Sequence, residues 1–368
     1  MLALLTLWLP VQAAPADMEP VYAARGPHSV GVVDFTAEQG DYTLNATLWY
    51  PALNPDGAEA SHTYSLNGLV TEGQALLEAQ PETANGPYPL IIYSHGLFGA
   101  RFESIHYVEH LASWGFVVMA ADHIGSTFFD TTSAEDVVRS FGYRPQDVMR
   151  LIDHTEAINA EGVFAGLMDM NAVGVTGFSF GGYTTLLAGG AVMDSSAIDA
   201  ACEGVSPQEN ALCETTNLQL LAETVGLDVI PQGLWRPMAD ERIKAVVALA
   251  PCCVNLFGTE GLAELTIPLM VIAGTADTTT PVEQNGTVAF ESASSEESAL
   301  VLIEDAGHEV YLDIYTGEIA RAHDLIQHFT TAFFMSQLKD DSTATALLAP
   351  IAVNVPEITY TSIVITAE

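Results

Sequence analysis

The stretch Val173-Gly174-Val175-Thr176-Gly177-Phe178-Ser179-Phe180-Gly181-Gly182-Tyr183 limits what this chain can fold into more than any other. It reads as a short buried strand, a sharp turn at a serine, and the start of a helix from Tyr183 to about Gly189. A serine on so tight a turn adopts a strained backbone conformation, and its neighbours two before and two after must be small. Both are glycine, Gly177 and Gly181. Such a turn lifts the hydroxyl above the sheet edge and aims the first amides of the following helix at the same point. Those amides and the helix dipole favour negative charge there.

The elements around this turn predict its setting. Val30 to Phe35 and Tyr42 to Trp49 alternate as paired antiparallel strands, and Asn54 to Pro87 is polar and irregular with a helical patch near Ala75 to Ala79. From Pro89 the rhythm becomes strand–helix–strand. Strands are expected at Pro89 to Tyr93, Phe116 to Ala121, Val173 to Thr176, Ile243 to Leu249, Leu269 to Ala273 and Leu300 to Ile303. Helices are expected at Phe102 to Trp114, at Ala134 to Asn159 with a break near Pro145, and at Glu318 to Leu338. This alternation implies an α/β protein with a mainly parallel sheet covered on both faces. In such sheets, sites form at the carboxyl ends of the strands.

Residues 1–14 read as a secretory leader, with Leu2 to Leu9 followed by small residues, although no basic residue precedes Arg25. The main domain runs over 15–339. Within it, 191–242 breaks the rhythm as an insertion, read either as an apolar lid carrying Leu220, Leu221, Leu227 and Trp235 or as a helical excursion packed on the body. The tail 340–368 ends in a β-branched run suited to an edge strand or to docking on the body. The leader is too short to span a bilayer, so a secreted or periplasmic protein without stable membrane insertion is expected. Four cysteines suit that compartment. Cys202 and Cys213 could close a small loop, Cys252 and Cys253 are adjacent and poorly placed to bond each other, and three full pairings stay open. With 47 acidic against 10 basic residues and a net charge of −37, nucleic acid and anionic membranes are repelled as partners. No His/Cys cluster has zinc spacing, and neither metal nor cofactor is called for.

The chemistry centres on Ser179. A serine hydroxyl needs a base to take its proton, and the base needs an acid to orient it. His308 follows the strand Leu300 to Ile303 and is the expected base; Asp277 follows Leu269 to Ala273 and is the expected acid, a position that also suits a turn or cap. Asp305 is read as capping the turn before His308. His123, after Ala121-Asp122, is read as fixing a loop near the site edge, with the role of base as its alternative, and His95 as bracing the turn Ser94 to Gly99. His106, His110, His154, His323 and His328 lie in helical patterns and are read as surface or core residues. Amides of Leu97 and Phe180 would converge as an oxyanion hole, each donor worth ~3 kcal/mol. Phe98 and Phe178 are candidate substrate contacts.

Taken with these motifs, the chain resembles a known family. Ser94-His95-Gly96-Leu97-Phe98-Gly99-Ala100-Arg101 with Gly177-Phe178-Ser179-Phe180-Gly181-Gly182 resembles the platelet-activating-factor acetylhydrolase type of α/β-hydrolase, and more closely its bacterial branch of predicted dienelactone hydrolases. Ala121 to Thr127, Arg144 to Val148 and Arg242 to Pro251 extend the likeness over roughly Val30 to Leu338. The resemblance implies a serine hydrolase of carboxylic esters, including short or oxidised acyl groups of lipids. Polyester-cleaving cutinase-like enzymes are similar in layout. Two departures stand out. Dienelactone hydrolases use a cysteine nucleophile where this chain has Ser179. The animal acetylhydrolases place their acid after the strand that here ends Ala248-Leu249-Ala250-Pro251, which has no carboxylate, and this favours Asp277. The order Ser179, Asp277, His308 is that of an α/β-hydrolase triad.

The expected function is a secreted ester hydrolase acting on a small-molecule, lipid or polymer ester. The rivals are a peptidase or amidase using the same three groups, and a non-catalytic binding protein on the same fold. Acyl length, alcohol moiety and oligomeric state are left open by the residues.

Overall fold

The computed structural model describes residues 20–39, 42–66, 68–206, 210–312, 320–350 and 352–363, so the expected leader and the last five residues lie outside the described residues. The strands are β1 (Ser29–Gln39), β2 (Tyr42–Ala52), β3 (His62–Leu66), β4 (Leu69–Gly73), β5 (Leu76–Leu77), β6 (Tyr88–Ser94), β7 (Val117–Ala121), β8 (Met168–Phe178), β9 (Ile243–Leu249), β10 (Leu269–Gly274), β11 (Ser298–Ile303) and β12 (Ile358–Ile363). The helices are α1 (Ile105–Ser113), α2 (Ala134–Ala160), α3 (Phe180–Gly189), α4 (Ser195–Ala201), α5 (Thr215–Thr224), α6 (Gly258–Ala263), α7 (Gly286–Ser292), α8 (Ala320–Lys339) and α9 (Ser342–Leu347).

Among the described residues, ten strands form one sheet in the order β12-β11-β10-β9-β8-β6-β7-β2-β1-β5. Its centre, β7-β6-β8-β9-β10-β11, is parallel, while β2 and β12 join it antiparallel. Alternation of side chains explains the two covered faces. Leu90 and Ile92 of β6 enter one apolar core with residues of α2, α3 and α5; Ile91 and Tyr93 enter the other with residues of α1 and α8. The mainly parallel, doubly covered sheet is what the alternation predicts, and the fold is that of an α/β-hydrolase, as the resemblance implies. No described helix is long and apolar enough to cross a membrane.

Four details differ from the reading of the sequence. The patch Ala75 to Ala79 is not helical: β1 offers an open edge, and Leu76 and Leu77 pair with Gly31 and Val32 instead. The stretch before it is not irregular throughout, since β3 and β4 pair antiparallel in a separate sheet. Pro145 does not interrupt α2. A proline inside a helix frees the carbonyl four residues back, here that of Phe141, and the Tyr183 hydroxyl donates to it at 3.4 Å. The helix after Ser179 begins at once with Phe180 rather than at Tyr183.

The insertion 191–242 packs on the body. Leu218, Leu221 and Trp235 are buried, Trp235 Nε1 donates to Ser195 Oγ at 2.9 Å, and Gln146 of α2 donates to Thr224 O at 3.1 Å. Cys202 and Cys213 are joined by a disulfide inside it, while Cys252 and Cys253 are free. The tail supplies β12 as the edge strand beside β11.

Candidate active site

The turn at Ser179 has φ 55° and ψ −110°, the strain expected of it. Its glycines are enforced by close approach. A Cβ at Gly181 would stand 1.8 Å from Ser94 O, and one at Gly177 would stand 2.5 Å from Gly181 O. The turn is tied down on both sides: Ser179 N–H donates to Leu249 O at 2.9 Å, and Ser179 O accepts from Tyr183 N at 3.2 Å and Cys252 N at 3.1 Å.

Three strand exits bring three side chains together. Ser179 follows β8, Asp277 follows β10, and His308 follows β11 on a short 3₁₀ turn, His308–Tyr311. His308 Nε2 is 3.0 Å from Ser179 Oγ, and His308 Nδ1 is 2.7 Å from Asp277 Oδ2. Asp277 is 5% exposed and fully engaged. Its Oδ1 accepts the Thr279 and Thr280 amides at 2.8 Å each, and its Oδ2 also accepts the Thr280 hydroxyl at 2.8 Å. The turn-capping role and the histidine contact therefore coexist in one carboxylate. Burial alone would raise its pKa, but the bonds from His308 and Thr280 outweigh that and hold it below the usual range. Asp305 stays apart. It takes a positive φ of 56°, and its amide donates to Thr275 Oγ1 at 2.9 Å.

The loop after β6 faces Ser179. Gly96 N–H donates to Glu103 Oε1 at 2.7 Å, and Phe98, at φ 64°, donates its amide to Ser126 O at 2.9 Å. Leu97 N–H and Phe180 N–H, the two expected oxyanion donors, have no protein acceptor among the described residues. Phe180 opens α3, where the first amides are unpaired within the helix. Phe98 is 50% exposed and lies on this loop. Phe178 differs from its expected role as a substrate contact. Its ring is buried against His308 and Tyr311, with centroids at 4.8 and 5.1 Å, so it props the imidazole from behind.

Beneath the loop lies a buried polar group whose function the sequence did not disclose. Arg144, on α2, donates to His95 O at 2.6 Å, Gly96 O at 3.0 Å and Ser126 Oγ at 2.8 Å. Its guanidinium carbon stands 4.5 Å from the centroid of the Phe180 ring, a cation–π contact. Burial lowers its pKa from 12.5 to about 10, which leaves it charged at neutral pH. His95 Nε2 accepts the His123 amide at 3.1 Å while Nδ1 lies 2.6 Å from Gly96 O. An Nε2 that accepts an amide carries no proton, so His95 is the neutral Nδ1–H tautomer. Burial and the Arg144 charge push its pKa well down, in agreement. His123 in turn spans Ser94 Oγ and Asp147 Oδ2, each at 2.9 Å. His95 and His123 thus brace the loop, as read from their positions. The signal for the clamp was present in Arg144-Pro145-Gln146-Asp147, but a helical arginine ordinarily faces water.

His110 and His328 are buried, and His154 and His106 edge the helices; none of them contacts Ser179 among the described hydrogen bonds. A mainly parallel sheet, helices on both faces and a strained serine at a strand exit define an α/β-hydrolase. Residues 67–153, less than half of the chain, match the family model described as Platelet-activating factor acetylhydrolase, isoform II. The matched segment holds the loop after β6, Arg144 and Asp147, and ends before Ser179. The family implies a hydrolase acting on ester bonds. No curated protein matches the chain.

Proposed function

We propose that the protein is an exported serine carboxylic ester hydrolase, with Ser179 as nucleophile, His308 as general base and Asp277 as the acid that orients it. The observation that carries this reading is the unbroken line from Ser179 Oγ through His308 Nε2 at 3.0 Å to Asp277 Oδ2 at 2.7 Å from Nδ1. His308 takes the serine proton as Oγ bonds to the acyl carbon, and the imidazolium that forms is held by Asp277. The carbonyl oxygen gathers negative charge between the Leu97 and Phe180 amides, and the α3 N-terminus favours that charge. Collapse expels the alcohol, which takes its proton from His308, and leaves an acyl-Ser179. Water, deprotonated by His308, repeats the cycle and frees the acid.

Export is supported by the Cys202–Cys213 disulfide, which belongs to an oxidising compartment. The acetylhydrolase likeness favours short acyl chains as substrates.

Hydrolysis of p-nitrophenyl esters from acetate to palmitate, with Ser179→Ala alongside, tests the reading. Activity greatest on short chains and lost in the variant is expected. A folded protein inactive on every ester contradicts it and points to amides or to binding.

A further inference from the structure

Two nucleophilic side chains stand beside Ser179 that ester chemistry does not use. After β9 the chain turns sharply through two non-glycine residues at positive φ, Ala250 at 40° and Cys253 at 59°. Between them, the Cys252 amide is the one that donates to Ser179 O at 3.1 Å. This turn brings the Cys252 and Cys253 sulfurs to 2.7 Å, only ~0.7 Å beyond a disulfide bond. Both residues are partly exposed, and the chain's other two cysteines are bonded to each other. Neither thiol has another sulfur of this chain to meet.

We propose that Cys252 and Cys253 are a redox-active vicinal dithiol, a modification site that takes low-molecular-weight disulfides and closes to a disulfide between adjacent residues. In the first step the Cys253 thiolate attacks one sulfur of an external disulfide RS–SR; the Cys253–SR bond forms, the RS–SR bond breaks, and RS⁻ leaves to take up a proton. Cys252 then gives its proton to solvent and attacks the Cys253 sulfur; the Cys252–Cys253 bond forms and the second RS⁻ leaves. The protein loses two electrons and two protons, and RS–SR becomes two RSH. Burial pushes the Cys252 thiol well above its ordinary pKa, which suits it to the second, intramolecular step, where proximity replaces acidity. Adjacent Cα atoms are ~3.8 Å apart, short of the roughly 4.4–6.8 Å that an unstrained disulfide spans. The closed ring is therefore strained and easily reduced, as labile disulfides are. Its redox state lies one hydrogen bond from the nucleophile.

The proposal does not depend on ester hydrolysis, and its test reads no activity. The purified full chain is equilibrated with oxidised and reduced glutathione at graded ratios, quenched in acid and alkylated, and the peptide carrying residues 252 and 253 is weighed. The expected result is a switch from a doubly alkylated peptide to one lighter than the free dithiol by two hydrogens. That switch comes at a more oxidising ratio than closure of Cys202–Cys213. With Cys252→Ser, Cys253 should instead accumulate as a glutathione mixed disulfide. Double alkylation at every ratio while Cys202–Cys213 is closed overturns the proposal, as does a wild-type peptide that stops at the mixed disulfide.

Discussion

Arg144→Met is the most telling perturbation of the loop that faces Ser179. The guanidinium donates to four groups, His95 O at 2.6 Å, Gly96 O at 3.0 Å, Ser126 Oγ at 2.8 Å and Ser94 Oγ at 3.4 Å. Methionine fills similar space and restores none of them. Gly96 O keeps the Gly99 amide at 3.1 Å, but His95 O loses its only described partner. Leaving one buried carbonyl bare costs ~1–3 kcal/mol, and breaking a buried charged network costs ~3–5 kcal/mol. Against a domain stability of about 5–15 kcal/mol, the variant should fold with a lowered Tm. The larger effect falls on rate. His95 and Gly96 immediately precede Leu97, so release of their carbonyls frees the Leu97 amide to drift from its proposed oxyanion position. Loss of one such donor lowers kcat ~10²–10³-fold. KM should change little, because those bonds strengthen only as charge develops. Arg144→Lys keeps the charge but not the fork, and should recover part of kcat. The assay is steady-state hydrolysis of p-nitrophenyl acetate beside a melting curve. Unchanged kcat in a folded Arg144→Met protein, or a rise in KM alone, refutes the positioning argument.

Three further outcomes follow from the same geometry. Asp277→Asn should fold, since an amide oxygen can still accept the Thr279 and Thr280 amides, yet lower kcat on the order of 10⁴-fold by losing the orientation of His308; a loss below tenfold would argue against Asp277 as the acid. Gly181→Ala should fail to fold or accumulate, because its Cβ would stand 1.8 Å from a backbone oxygen, and soluble active protein would contradict the close approach. Four buried histidines are held neutral by burial: His95 and His123 well below 6.5, His110 at about 3 and His328 at about 4. Below about pH 6.5 the unfolded chain takes up protons that these refuse, so each removes ~1.4 kcal/mol of stability per pH unit as pH falls towards its folded value. Asp147, raised to about 7 by burial, binds its proton in the folded state first and offsets one of them. In ~1 M salt, which screens the surplus carboxylates, Tm should fall between pH 6.5 and 4.5; a rise would refute the neutral assignments.

Much of this was legible in the residues because the site is built from strand exits. The turn at Ser179 carries its own signature, and Asp277 and His308 each follow an apolar run that ends in small or polar residues. Their distances depend on β8, β10 and β11 lying in one parallel sheet, which the alternation of strands and helices already implied. What stayed hidden depends on partners far along the chain. Pro145 looked like a break until Tyr183 supplied a donor for the Phe141 carbonyl. Arg144 stood in the sequence only as part of a family-like stretch, and its role depends on the acceptors that the fold places around it, from the loop after β6 and from Ser126. Phe178 looked free to meet substrate, but Tyr311 arrives from the other side and encloses it with His308. Strain between adjacent residues argues against a Cys252–Cys253 bond, and neither the positive φ at Cys253 nor the bond from the Cys252 amide to Ser179 O is visible in the residues themselves.

The central claim is that Ser179 is a nucleophile activated by His308. Its most direct measurement is covalent labelling with a fluorophosphonate followed by mass mapping, on the wild type, Ser179→Ala and His308→Ala. The account predicts a single adduct on the peptide containing Ser179, absent from the serine variant and slowed by orders of magnitude in the histidine variant. A folded wild type that stays unlabelled, or an adduct that persists in Ser179→Ala, would contradict it.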